Sequence, residues 1–350
     1  VTVDDFHTEI IAQPAALERA AAAMAEQAAE LDALRALAAR RPIVLTGMGA
    51  SYHACLAAAS TLGRAGVLAT TVNTAELTHF RMRALAPGTV VVAISQSGRS
   101  AELVRLSGAL DRRTRLVTIT NGLGNPLAEA ADIAFDTRAG AEHGPSTGTF
   151  AATFPPLAAL VRTLGGEAGS GAVIEEVASL TATAAEQARR VLGGEAALTD
   201  AVSGWLGDRT GAVLVGRGTG RAAADLGALV LKEAARLAAE CLDAAEFRHG
   251  PLELAGPELA AAVIATEPAT RDLDLALAAE LAVLGGPVLL VTAEGAAPYG
   301  VTPVAVGAVD PLLAPAVAAI PFQLLAWALA VAGGREPGRF TIGSKITTKE

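Results

Sequence analysis

Two stretches of the chain carry the side chains with most to offer chemically. The first is Ser95-Gln96-Ser97-Gly98-Arg99-Ser100, which follows the β-branched run 90–94 and precedes a helical pattern from about Ala101. Three hydroxyls, an amide, a glycine and a helix N-terminus converge there. An anionic group needs that set: backbone N–H donors, a favourable dipole and side-chain hydrogen bonds. The earlier Gly47-Met48-Gly49-Ala50-Ser51-Tyr52 has the same order of strand, glycine turn, hydroxyl and helix. It lacks the third glycine of a dinucleotide fingerprint and the lysine of a P-loop, which argues against NAD and ATP. Paired with the serine loop, it favours a small phosphate over simple helix capping by serines. A third segment, from Ala139 to Ser146-Thr147, adds hydroxyls and the carboxylate of Glu142.

The second stretch is of a different kind. Leu231-Lys232-Glu233 lies in a helical pattern, and Glu246-Phe247-Arg248-His249-Gly250-Pro251 follows it. Glu233 interrupts a long alanine and leucine run, and a carboxylate so surrounded can have a raised pKa and move protons. A solvated helix position explains it equally simply, and the helix alone leaves both readings open. His249 is held by a Gly-Pro turn, where a lone histidine is more often a surface residue than a catalyst. The five histidines and two cysteines never fall at ligand spacing, so no metal is expected, and no cofactor.

Short β-branched runs alternate with longer helical stretches, the pattern of parallel sheets covered by helices on both faces. The runs are 43–46, 90–94, 116–120 and 133–135 in the first half, and 212–215, 262–265, 288–291 and 304–306 in the second. The fold class expected is α/β: two doubly wound, flavodoxin-like parallel-sheet domains. A helical N-terminal arm (1–40, with one helix over 9–39) precedes a first domain at 41–193. A second domain at 194–350 ends in a C-terminal tail. A glycine-rich stretch at 165–171 and a helix over 172–192 join the halves. In such sheets ligands bind outside the carboxyl ends of the strands, which is where the segments above lie.

With 350 residues, 52% hydrophobic and 18% charged, the chain buries a large core and is not disordered. Its net charge of −9 has no basic run, so nucleic acid and anionic membranes are not expected partners. Two cysteines and an opening without a basic and apolar leader pattern lead to a cytoplasmic enzyme as the expectation. The stretch 312–332 is apolar enough to suggest a membrane span, but Pro315, Pro321 and Gln323 interrupt it, and it reads as a buried helix.

Taken together, the chain resembles the sugar isomerase (SIS) family, and most closely the isomerase portion of the glucosamine-6-phosphate synthases. The matching pieces, in order, are Glu9-Ile10-x-x-Gln13-Pro14, Gly49-Ala50-Ser51-Tyr52, Ile94-Ser95-Gln96-Ser97-Gly98, Ala139-Gly140-x-Glu142, Gly216-Arg217-Gly218, Leu231-Lys232-Glu233, Glu246-x-x-His249-Gly250-Pro251, Pro321-x-Gln323-Leu324-Leu325-Ala326 and Lys345-x-x-Thr348-x-Glu350. The resemblance implies that Ser51, Ser95, Gln96, Ser97 and Ser100 bind a sugar phosphate and that Ser146 and Thr147 close over the sugar. It implies that Glu233 moves a proton between C1 and C2, that His249 assists ring opening from a neighbouring subunit of a homodimer, and that Lys345 forms an imine or lines the closed site.

Departures from the synthases bear on the substrate. Val230 stands where they hold a lysine one turn before the catalytic glutamate, and Leu226 where they hold a glutamate. Arg99 replaces a commonly acidic residue, and Gly148 follows Ser-Thr in place of a lysine. No glutamine-hydrolysing domain precedes residue 1, so glutamine-dependent synthesis is not expected. The expectation is a stand-alone aldose/ketose isomerase of the deaminase type, giving fructose 6-phosphate and ammonia from glucosamine 6-phosphate or a close relative. The alternatives are a phosphosugar isomerase without amine chemistry, a fructosamine-phosphate deglycase, or a sugar-phosphate sensor.

Overall fold

The computed structural model describes residues 5–38 and 41–350. Ten strands form two parallel sheets. The first holds β1 (Ile43–Gly47), β2 (Ala69–Asn73), β3 (Val90–Ser95), β4 (Arg115–Thr120) and β5 (Ile133–Asp136) in the order β2-β1-β3-β4-β5. The second holds β6 (Gly211–Gly216), β7 (Ala238–Asp243), β8 (Ala260–Ala265), β9 (Val288–Thr292) and β10 (Val301–Ala305). Its order, β7-β6-β8-β9-β10, repeats the first sheet strand for strand. Equivalent pairs keep equivalent registers, Thr46 beside Ala93 in one sheet and Val215 beside Val263 in the other. The doubly wound α/β class expected from the alternating pattern is therefore what the chain adopts.

Central strands explain why most of the pattern was visible. Every residue of β3, β8 and β9 is buried, and each reads as an apolar run, broken only by Ser95 and Thr292 at the carboxyl ends, as strands covered on both faces do. Beneath the first sheet, Leu103, Leu106 and Leu127 pack on Val91 and Ala93; beneath the second, Phe247, Leu277 and Leu281 pack on Val263 and Leu290. Each such side chain contributes about 1.5–3 kcal/mol on burial.

Several local expectations need correction. No strand was expected at β2 or β7, the edge next to β1 and its counterpart next to β6. Ala-Thr-Thr-Val-Asn and Ala-Ala-Glu-Cys-Leu-Asp are only part-buried and carry polar groups, so they lack the apolar run that marks a central strand. The last strand begins at Val301, three residues earlier than expected. The single helix over 9–39 is three helices, Asp5–Ile11, Gln13–Met24 and Ala28–Ala38, with Ala39 outside the described residues. The second break falls at Gln27, whose side chain donates to the Ala23 and Asp136 carbonyls and accepts from the Asp136 N–H at 2.7 Å. That side chain ties the arm to β5.

The chain forms two compact units. One is built on the first sheet, from Ala15–Ala141, Gly148–Ala182 and the tail Thr341–Glu350. The other is built on the second sheet, from Thr183–Phe340 with Glu142–Thr147 and the segment ending at Pro14. In this second unit the apolar stretch beginning near residue 312 forms Ala314–Ala318 and Ile320–Ala332. Ala314–Ala332 is long and apolar enough to cross a membrane, yet most of it is buried in the protein. Part of its cover is the helix Gly220–Val230, where a Cβ on Gly227 would lie 2.9 Å from the Phe322 ring.

Candidate active site

At the carboxyl end of the first sheet, β1 and β3 are neighbours whose following helices run to opposite sides, which is the switch point where such sheets bind ligands. Gly47 ends β1, and a Cβ there would lie 3.0 Å from the backbone of Ser51 and Tyr52. Its absence lets the helix Ala50–Arg64 start close to the strand, with Ser51 in the first turn. Ser95 ends β3 and is buried; its Oγ accepts from the Gly98 N–H at 3.0 Å, leaving its own O–H to donate. Ser97 Oγ likewise accepts from the Arg99 N–H at 3.2 Å. Ser100 precedes the helix Ala101–Ala109. Gly98 has φ +60°, and a Cβ there would run into the side-chain amide of Asn125. Asn125 in turn accepts from Ala128 N–H at 2.9 Å and donates to the Gly122 carbonyl at 2.7 Å. The loop is therefore wrapped against the β4 loop before any ligand arrives. Ser51, Gln96, Ser97 and Ser100 are all half-buried, accessible to a ligand without being loose.

Lys345 belongs to this same unit. The tail that carries it returns to the helix after the serine loop, where the Ala101 N–H donates to the Thr347 carbonyl at 3.0 Å. Lys345 is half-buried.

The second unit holds the other expected residues. Thr147 is fully buried, and both its N–H and its hydroxyl donate to Glu142 Oε1, at 2.8 and 2.9 Å. Glu9 accepts from the N–H groups of His143 and Gly144, at 2.6 and 3.3 Å. Gln323 Nε2 donates to the Ser146 carbonyl at 3.2 Å, and Gln13 Nε2 donates to Gln323 Oε1 at 2.7 Å. Glu9, Gln13, Glu142 and Gln323 are all among the residues that carry the family resemblance, which assigns them no role. Their common task is to brace the Ser146-Thr147 segment. The available signal was a glutamine inside an otherwise apolar helix, which must find a partner when buried.

Glu233 lies in a π-helical turn, Leu231–Ala235, that extends the helix Gly220–Val230, not in a regular helix as expected. Such widened turns recur at functional sites. Arg236, at φ +56°, ends it. Glu233 is half-buried between buried Leu231 and Ala234, while Val230 and Leu226 are fully buried. His249 follows the short helix Ala244–Arg248, which Asp243 caps and the buried Phe247 anchors; the histidine itself is exposed.

The second sheet has its own switch point, between β6 and β8, but it is already filled. Arg217, from the loop after β6, pairs with the fully buried Asp274, which also accepts from Thr270 Oγ1 at 3.0 Å. Thr219 Oγ1 donates to Glu267 Oε2 at 3.1 Å. Burial pushes the Asp274 carboxyl above its ordinary range, the Arg217 guanidinium opposes that shift, and Asp243 adds to it. This crevice is thus occupied by side chains from its own unit, Arg217 with Asp274 and Thr219 with Glu267.

A duplicated doubly wound parallel sheet defines the class. The SIS domain family model matches residues 36–162 and 208–332, one match over each sheet, and the chain belongs to this family. A glutamine–fructose-6-phosphate aminotransferase (isomerizing) of Pyrobaculum aerophilum is 31% identical over 98% of this chain. That alignment covers 57% of the relative, so the chain spans little more than half the length of the protein it matches. Among solved structures, the C-terminal domain of glucosamine-fructose-6-phosphate aminotransferase from Francisella tularensis superposes with a TM-score of 0.85 at 24% identity, covering 97% of this chain and 99% of that one. A tagatose-6-phosphate ketose/aldose isomerase from Escherichia coli gives 0.78 at 21%, covering 97% and 96%. A glucosamine-6-phosphate deaminase from Thermotoga maritima gives 0.69 at 19%, covering 94% and 99%. At these identities the structural likenesses speak for the fold.

Proposed function

We propose that this chain is a phosphosugar aldose/ketose isomerase of the deaminase type, converting glucosamine 6-phosphate or a close relative to fructose 6-phosphate and ammonia. The serine loop takes the phosphate, with Ser51, Ser95, Gln96, Ser97 and Ser100 supplying hydroxyl and amide donors and the helix at Ala101 its dipole. Ser146, half-exposed, contacts the sugar, and Thr147 holds Ser146 in place through Glu142. His249 moves the ring-opening proton between the C1 hydroxyl and the ring oxygen. Its exposure on its own chain suits action in the neighbouring subunit of a homodimer.

The chemistry then follows from the open chain. Glu233 takes the proton from C2 as the C1 carbonyl oxygen is protonated, giving an enolamine, and the same carboxylate returns its proton to C1 while the amino nitrogen gives one up, which balances the proton gained at O1. The product is a C2 imine, and water adds to it, releasing ammonia and leaving the C2 ketone of fructose 6-phosphate. One base reaching both carbons is sufficient for this transfer. Lys345 lines the closed site or exchanges with the imine, for which it must be desolvated enough to be partly neutral.

The observation that carries the deaminase reading is Val230. It is fully buried beside the catalytic turn, as is Leu226, so neither position supplies the charge that the resembled synthases place there. A site without that pair has to balance the developing anion differently. Coupled assay of ammonia and fructose 6-phosphate from glucosamine 6-phosphate tests the reading. Isomerisation without ammonia would replace it with a plain phosphosugar isomerase. Tight binding of phosphosugars without turnover would favour a sensor.

A further inference from the structure

Both edge strands end in the same way. Asn73 closes β2 and accepts from the Ala75 N–H at 3.0 Å, and Asp243 closes β7 and accepts from the Ala245 N–H at 2.8 Å. Counted from these caps, Glu76 and His79 stand where Glu246 and His249 stand, so the chain carries Glu-x-x-His once per sheet. The two histidines differ in what surrounds them. Both are exposed, but His79 Nε2 lies 3.0 Å from Oε2 of Glu350 in the tail. The other oxygen of that carboxylate, Oε1, lies 3.1 Å from Arg105 Nε on the helix Ala101–Ala109.

The tail thus meets the serine-loop unit at two separate points. Glu350 is gripped by a histidine and an arginine from two different elements, and the Thr347 carbonyl accepts the Ala101 N–H at the start of the helix. Lys345 lies only two residues before the second contact. Across Lys345, Ser344 Oγ donates to the Ile346 carbonyl at 2.7 Å and sets the turn there.

We propose that His79 and Arg105 form a latch for the tail, holding Glu350 so that Lys345 is presented next to the serine loop. All three are positioning residues, acting through Lys345. The latch stands on the contacts alone; its catalytic consequence rests on the function proposed above. The grip draws on both partners, since a single exposed ion pair is weak and easily screened.

The chain has three lysines, Lys232, Lys345 and Lys349, so a lysine-specific protease and an amine-acylating reagent both report on the tail with Lys232 as internal reference. With the full chain, Glu350→Gln and Arg105→Met should each raise cleavage and acylation at Lys345 about fivefold or more, with Lys232 unchanged. The charge-swapped pair Arg105→Glu with Glu350→Arg should recover much of the protection, which a simple loss of packing would not allow. Hydrogen exchange at Ala101 should accelerate with the loss of the latch. In turnover, the latch variants should lose about tenfold in kcat with KM little changed. Unaltered Lys345 protection in Glu350→Gln would overturn the latch whether or not the protein turns over a phosphosugar. Raised Lys345 exposure with kcat intact in an active enzyme would overturn its positioning role. If no phosphosugar is turned over, the function proposed above fails while protease and acylation still decide the latch.

Discussion

Gln13 Nε2 donates to Gln323 Oε1 at 2.7 Å across 310 residues of sequence, and both side chains are fully buried. Gln323 passes the connection on to the Ser146 carbonyl. A relay of two amides with no exposed atom to spare makes the placement of Ser146 depend on residues far from any ligand.

Gln323→Leu keeps the side chain's bulk but removes both hydrogen bonds. The Ser146 carbonyl and the Gln13 amide then lose a buried partner, which costs about 1–3 kcal/mol. Urea denaturation should show the midpoint falling with an unchanged slope, and the KM for the phosphosugar should rise several-fold. An unchanged midpoint would mean that water replaces the relay.

Gly98→Ala tests the serine loop. The positive φ and the clash with Asn125 act together, so the loop must open to accommodate one methyl group. Titration of the purified variant with a phosphosugar, followed calorimetrically, should show affinity reduced at least tenfold while the circular dichroism of the sheets is retained. Parent-like affinity would place the phosphate elsewhere.

The filled crevice of the second sheet gives a pH-dependent signature. The folded pKa of Asp274 lies above its unfolded value, because burial outweighs the pull of Arg217. The folded state therefore binds this proton more tightly than the unfolded state. The stability it brings is fully present below the ordinary aspartate range and is lost as pH rises through the folded value. Relative to Asp274→Asn, which cannot titrate, the parent should be most stable in acid and lose ground as the pH is raised. Denaturation midpoints of both proteins across the acid range will show this loss; parallel curves would mean that burial and Arg217 cancel, and a parent that gains ground as the pH rises would mean that Arg217 dominates.

Eight of the ten strands were legible, most of them because a strand buried on both faces is apolar along nearly all its length, as β8 is throughout and β3 is up to Ser95. The two that were not, β2 and β7, are edges whose Thr70, Glu240 and other polar groups meet solvent, and nothing local distinguishes them from loop or helix. Glu233 was legible as an isolated carboxylate in an apolar run, but the widened turn that carries it was not, since its backbone departs from the helix without a glycine or proline to announce it. The serine loop was legible as three hydroxyls and an amide between a strand and a helix start, and the structure places it at the carboxyl end of β3. Its occluded counterpart was not, because the Arg217–Asp274 pair joins residues 57 apart that only folding brings together.

The central claim is that Glu233 moves the C1–C2 proton of an amino-sugar phosphate. The most direct measurement is to incubate the purified protein with glucosamine 6-phosphate and follow ammonia and fructose 6-phosphate together, with Glu233→Gln alongside. The account predicts equal amounts of both products from the parent and a loss of at least about a hundredfold in the variant, within the range for removing a general acid–base group. Turnover that survives Glu233→Gln would contradict it.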